Sequence, residues 1–227
     1  ANAEFALFLV GNVRCCLKNL FFPFGIIAVL SFFAQDFLGS LLWRGYNPIT
    51  NYVSQLTADG APHVLLTRTL LYCYTIGLTI FFIGMLIEAI CYYGMILRIG
   101  YSGLLLTALI SAFGYGSFPM TMDFIINYKN YVHLAITILI LAGTVSMLFL
   151  LAIGYLRRKN YKNIGYISLA AAFLFLLLNL LHLYLILNGS NILGLMQRLT
   201  FYTFQIYILI LSWFYMIKSH QKTVENK

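Results

Sequence analysis

Six apolar runs, at approximately residues 20–40, 66–91, 99–118, 131–155, 163–187 and 198–217, constrain this chain more than any other feature. Each is long enough to cross the hydrocarbon of a bilayer, about 30 Å thick, as a helix rising about 1.5 Å per residue. Helices are also the only open-ended structures that satisfy every backbone N–H and C=O in lipid. The chain is 62% hydrophobic and 9% charged, against roughly 25% charged residues in soluble domains. The expected fold class is therefore all-α: a polytopic membrane protein of six transmembrane helices. The short connections at 92–98 and 156–162 make neighbouring spans antiparallel.

Basic residues mark the direction of crossing. Arg14, Lys18, Arg98, Arg157, Arg158, Lys159, Lys162, Lys218, Lys222 and Lys227 fall on one side, and Arg44, Arg68, Lys129 and Arg198 on the other. Ten against four puts both termini in the cytoplasm of a multi-pass cell (inner or plasma) membrane protein. The expected organisation is a cytoplasmic segment at 1–19, a six-helix domain at 20–217 and a cytoplasmic tail at 218–227. Phe5–Val10 is too short to cross, and no small-residue cleavage pattern follows it. The net charge of +8 belongs to this topology and to contact with membrane lipids, and no nucleic-acid partner is expected. Cys15, Cys16, Cys73 and Cys91 form no CxxC pair, which argues against a disulfide framework or a thiolate metal clip. Ala112 with Gly116, and Gly143 with Thr144 and Ser146, are the small residues expected at helix contacts.

The longest polar interval is Gly45–Arg68, GYNPITNYVSQLTADGAPHVLLTR. Asn47 suits an N-cap and Pro48 the first helical position. Ile49, Tyr52, Val53 and Leu56 recur at i, i+3, i+4 and i+7. Gly60 and Pro62 suit a helix stop. The spacing predicts a short amphipathic helix lying over the outer mouth of the bundle.

Polar residues gather at that same face. Asp36 ends span one, Asp59, His63 and Arg68 lie in or after the segment, and Asp123 lies in the next outer loop. His133 opens span four. His182 sits about 27 Å along span five from Ile164, with Asn179 one turn below, and Arg198 opens span six. The middles of spans two to six hold almost no charge, which argues against ion conduction or proton-coupled transport. Three uses of the cluster remain open. It caps helix ends in a structural or regulatory subunit. It forms a pocket for a lipid or small amphiphilic ligand, with Arg68 and Arg198 holding an anionic headgroup and Ser54, Asp123, His133 and His182 shaping the walls. Or it is a metal-dependent hydrolase in which His63, His133 and His182 bind zinc, with Asp123 or Asp36 as base. No cofactor is expected under the first two uses, and no HExxH-type spacing supports the third.

YNPITNYVSQLTADGAPH resembles the Y-x-P…Y-(I/V)-S-x-L…G-x-P segment of a six-span family known as domain of unknown function 998. SFPMTMD followed by NYVHL resembles that family's second signature. The family is similar in turn to the Frag and damage-regulated autophagy modulator group. The pattern falls on Tyr46, Pro48, Ser54, Leu56, Gly60, Pro62, Phe118, Pro119, Asp123 and His133, across roughly residues 20–217. Gln55 departs from it where relatives often carry a carboxylate. The resemblance implies fold and topology, and no reaction.

Overall fold

The computed structural model describes residues 20–121 and 127–225, with side chains described through Lys218. Residues 1–19 and Asp123, both part of the sequence reading, lie outside the described residues. Six helices follow: α1 Pro23–Leu42, α2 Val64–Tyr92, α3 Met95–Ser117, α4 Tyr128–Leu156, α5 Lys162–Leu187 and α6 Leu193–Glu225. All six are long and apolar enough to cross a membrane. Each packs on its chain neighbours, and α6 closes the ring against α1.

Local chemistry sets the ends. Pro23 occupies the start of α1, where its missing N–H has no intrahelical partner to lose. The α2–α3 connection is only Tyr93–Gly94. It is this short because Arg98, inside α3, donates to the Ala89, Ile90 and Tyr93 carbonyls at the end of α2, satisfying groups that a helix terminus leaves open. α5 ends in a left-handed Gly189 (φ +63°), and the Ser190 N–H returns to the Leu185 carbonyl at 3.0 Å, as a Schellman turn requires.

α3 and α4 approach closely, but not through the expected Ala112–Gly116 pair. A Cβ at Gly116 would meet only Tyr72 Oη at 4.0 Å. The tight positions are Gly100 against Leu151, Gly103 against Met147, Gly143 against Thr107 and Gly154 against Leu97, where a Cβ would lie 2.1–2.8 Å from its neighbour. Small residues matter where a facing side chain fills the space, and spacing alone does not reveal that.

The basic end of the bundle is tied by phenols. Tyr93 bonds Tyr215 at 2.6 Å, Tyr215 bonds Tyr155 at 2.8 Å, and Tyr155 bonds Tyr101. All four are buried, and they join α3, α4, α6 and the α2–α3 turn. Here α4 and α5 also touch: a Cβ at Gly165 would lie 2.8 Å from Leu156. Towards the opposite end, which carries the Gly45–His63 segment, α4 and α5 part. Among the described residues they enclose a cleft of about 950 Å³.

The segment itself differs from the predicted amphipathic helix. Its helical part is one 3-10 turn, Val53–Thr57, five residues later than Asn47–Pro48 suggests. Asn47 does cap a turn, its side chain accepting from the Ile49 N–H at 2.9 Å and its carbonyl from the Asn51 N–H at 2.8 Å, but the turn is not continued into a helix. Three carbonyls that an α-helix would use are taken from outside, Pro48 and Asn51 by Arg198 and Ile49 by the Leu195 N–H, while Tyr52 accepts from Tyr46 Oη and the Gln55 N–H within the segment. Val53 and Leu56 still point inward, at 4% and 1% exposure, whereas Ile49 is exposed. Gly60 takes the positive φ (+87°) expected of it.

Candidate functional site

Arg198 is the centre of the segment end. It lies in the second turn of α6 and is 5% exposed. Its five N–H groups all find acceptors. Nε and Nη2 bind the Asp36 carboxylate at 2.8–3.2 Å, Nη1 binds the Pro48 and Asn51 carbonyls at 2.6 and 2.8 Å, and Nη2 also reaches Tyr46 Oη at 2.6 Å. Tyr202 Oη completes the Asp36 carboxylate. Burial alone would make this pair costly, and full hydrogen bonding of both partners is what offsets that cost. Gln197 Oε1 accepts from the Val53 N–H at 2.7 Å. A Cβ at Gly194 would overlap the Asn51 carbonyl, so the segment lies directly on the bare first turn of α6. The anion-holding role expected of Arg198 is corrected: the guanidinium is a staple between α1, α6 and the segment, with no donor left for a ligand.

Arg68 is likewise held inside the protein. Its Nε donates to the Thr57 carbonyl at 3.0 Å and its Nη2 pairs with Asp59 at 2.7 Å. Lys129 Nζ lies 3.5 Å from the same carboxylate. The Arg68 hydrogen bond, more than the nearby charges, holds the Asp59 carboxyl below its ordinary value of 3.8. The Asp59 N–H donates to the Met120 carbonyl at 2.9 Å, and Asp59 forms an isolated parallel bridge with Thr121. The segment and the following loop thus form a single cover.

Beneath this cover lie two adjacent spaces. The cleft between α4 and α5 is walled mainly by apolar side chains such as Leu134, Ile138, Val145, Leu176 and Leu183. Its polar end carries Tyr52, Ser54, Asn130, His133, Asn179, His182 and Gln197. A smaller chamber of about 130 Å³ lies at the bundle centre. Ser54, His133, Thr137, Leu141 and Gln197 line both spaces, so the two share a wall or doorway. Among the described residues no acid, lysine or arginine lines either one.

Of the six expected ligand-binding residues, the structure brings Ser54, His133 and His182 to the cleft, while Arg68 and Arg198 are not among its lining residues. His133 Nδ1 lies 3.0 Å from the Phe118 carbonyl. A carbonyl only accepts, so Nδ1 carries the hydrogen and Nε2 of the neutral ring is an acceptor. His133 also packs against Tyr115, the two rings tilted by 32° with centroids 4.8 Å apart. His182 stacks on Tyr52 at 6.0 Å, and its buried Nε2 has no hydrogen-bond partner among the described residues. Ser54 Oγ donates to Met120 Sδ at 3.4 Å, which leaves no Ser–His nucleophile pair. His63 is the left-handed residue (φ +55°) before α2 and lines neither cavity. Among the described residues no three His, Cys, Asp or Glu side chains assemble to hold a metal. The zinc site expected from His63, His133 and His182 is therefore not formed by those residues. Sequence reasoning missed Asn130, Gln197 and Gln205 and gave Tyr52 only a packing role, because uncharged side chains do not stand out by charge.

Six apolar helices in a ring, with one face closed by a stapled segment, define a polytopic helical membrane protein. The chain belongs to the family described as Protein of unknown function (DUF998), whose model matches residues 26–214. No curated protein and no solved structure matches the chain. The family signature acquires a physical meaning here. Tyr46 and Pro48 bind Arg198, Phe118 fixes His133, Ser54 and Pro119 line the chamber, and Gly60 supplies a turn. Gln55 Oε1 accepts from Asn51 Nδ2 at 2.9 Å, so the position serves as an acceptor within the segment.

Arg198→Ala leaves Asp36 buried and unpaired, and is expected to cost about 3–5 kcal/mol. Arg198→Lys rescues little of this, because three donors on one nitrogen cannot replace a five-donor fork. Thermal unfolding in detergent measures both. A second expectation concerns pH. Because the Asp59 carboxyl is lowered on folding, its contribution is fully present above the ordinary value of 3.8 and is lost as pH falls through the lowered value. Protease cutting of the segment in Asp59→Asn should therefore exceed wild type at pH 7, with the two converging at strongly acidic pH.

Proposed function

We propose that the protein binds an uncharged amphiphile in the α4–α5 cleft, with the apolar body between the helices and the polar group at the Ser54–His133–His182 end. The observation that carries this reading is the cleft itself: about 950 Å³, largely apolar, with hydrogen-bonding groups gathered at one end, which is the usual make-up of a small-molecule site. The absence of charge from its described lining favours a neutral headgroup over the anionic one that Arg68 and Arg198 suggested from sequence. An anion here would lose its hydration without gaining a partner. A purely structural subunit would call for a filled interior, and a hydrolase for a metal or nucleophile set, so both fit these residues less well.

The test compares dodecanol with dodecanoate at pH 8, using native mass spectrometry of the detergent-solubilised protein. Dodecanol should bind at least about tenfold more tightly, and Ala142→Trp, which fills the cleft wall, should abolish binding. Equal binding of the two probes, or binding unaffected by Ala142→Trp, overturns the reading.

The same proposal places the cleft's polar end outside a cell membrane, with both termini cytoplasmic. Arg98, Arg157, Arg158, Lys159, Lys162 and Lys218 stand at the basic end, while three of the four basic residues at the segment end are paired with Asp36 or Asp59. The uneven count of Lys and Arg between the two ends is the asymmetry from which topology is read. Alkaline phosphatase fused after Gly189 should be active and fused after Arg158 inactive; the reverse pattern inverts the assignment.

A further inference from the structure

The central chamber has a size and a lining that the cleft lacks. Its volume of about 130 Å³ is close to that of an engineered protein cavity, about 150 Å³, that binds benzene. Its walls are rich in aromatic rings: Phe32, Tyr74, Phe82, Phe175, Phe201 and Phe204. One wall carries Gln205, 2% exposed, whose Nε2 donates to Tyr74 Oη at 3.0 Å and whose buried Oε1 has no partner among the described residues. A buried acceptor without a donor is expensive in a membrane interior, where no solvent is at hand. Ser54, His133 and Gln197 stand where the chamber meets the cleft.

We infer that the chamber receives a six-membered aromatic ring bearing a hydroxyl, whose apolar tail runs out through the cleft into lipid. The ligand class is thus an alkyl- or prenyl-substituted phenol or hydroquinone. The ring meets its walls edge-on and offset, as aromatic pairs prefer. Its hydroxyl donates to Gln205 Oε1, and its oxygen remains free to accept. A linear alcohol of equal chain length fills the cleft but leaves the Gln205 acceptor unmet. The inference rests on the cleft being an amphiphile site, and it specifies which head enters beyond that site.

The experiment compares 4-dodecylphenol, dodecylbenzene and dodecanol on the intact protein in detergent by native mass spectrometry, with Gln205→Leu and Ala108→Phe as variants. Ala108 lines the chamber from α3, so the second variant fills it without touching Gln205. The phenol should bind about tenfold more tightly than dodecylbenzene. Both variants should retain dodecanol binding and lose the phenol preference. If dodecanol binds while phenol and benzene bind alike, the chamber holds only water and this inference falls, leaving the cleft reading intact. If the preference survives in both variants, the ring sits elsewhere and the inference is likewise overturned. If a variant loses dodecanol binding as well, the other decides. Failure of all three probes on wild type sinks the cleft reading and this inference together.

Discussion

A single guanidinium holds the segment end together. Arg198 and Asp36 are both almost wholly buried, in a setting where an isolated charge would be untenable. The pair persists because the remaining donors of Arg198 go to main-chain carbonyls of the segment. The polypeptide between α1 and α2 is therefore not a loop that happens to lie on the bundle. It is part of the coordination of a charge, and its path follows from that requirement. The unhelical course of Pro48–Tyr52, the bare turn at Gly194 and the hydroxyls of Tyr46 and Tyr202 are each consequences of supplying Arg198 and Asp36 with partners.

The cover so formed explains why the spaces below it stay polar on one side. Ser54 and Tyr52 hang from the segment, while His133 and His182 rise from α4 and α5. Neither histidine is placed for metal binding. His133 is oriented by Phe118 and Tyr115, and His182 by Tyr52. Their chemistry is that of neutral donors and acceptors facing an apolar slot.

Hydrophobic length and the placement of Lys and Arg are enough to locate all six spans, because a bilayer imposes its thickness on any sequence that crosses it. Span ends shifted by only a few residues, as at Met95, where Arg98 caps the preceding helix from within α3. The candidate site was legible only in part. Clustering of Ser54, His133 and His182 at one face follows from the place of Ser54 in the polar interval and the depth of the two histidines along their spans. The role of Arg198 does not, because its acceptors are carbonyls, which every residue carries alike and which leave no mark in a sequence. For the same reason the Ile49–Leu56 periodicity suggested an α-helix where competing donors leave one 3-10 turn. Gln205 was invisible for another reason: a neutral amide in an apolar span reads as tolerated polarity until its unmet acceptor is located.

The chain of phenol hydroxyls at the basic end carries a mechanical corollary. Tyr101, Tyr155, Tyr215 and Tyr93 lash α3, α4, α6 and the α2–α3 turn at one extremity, while α4 and α5 stand apart at the other. None of the four tyrosines stands on α5, so a wider gap between α4 and α5 would cost none of these bonds.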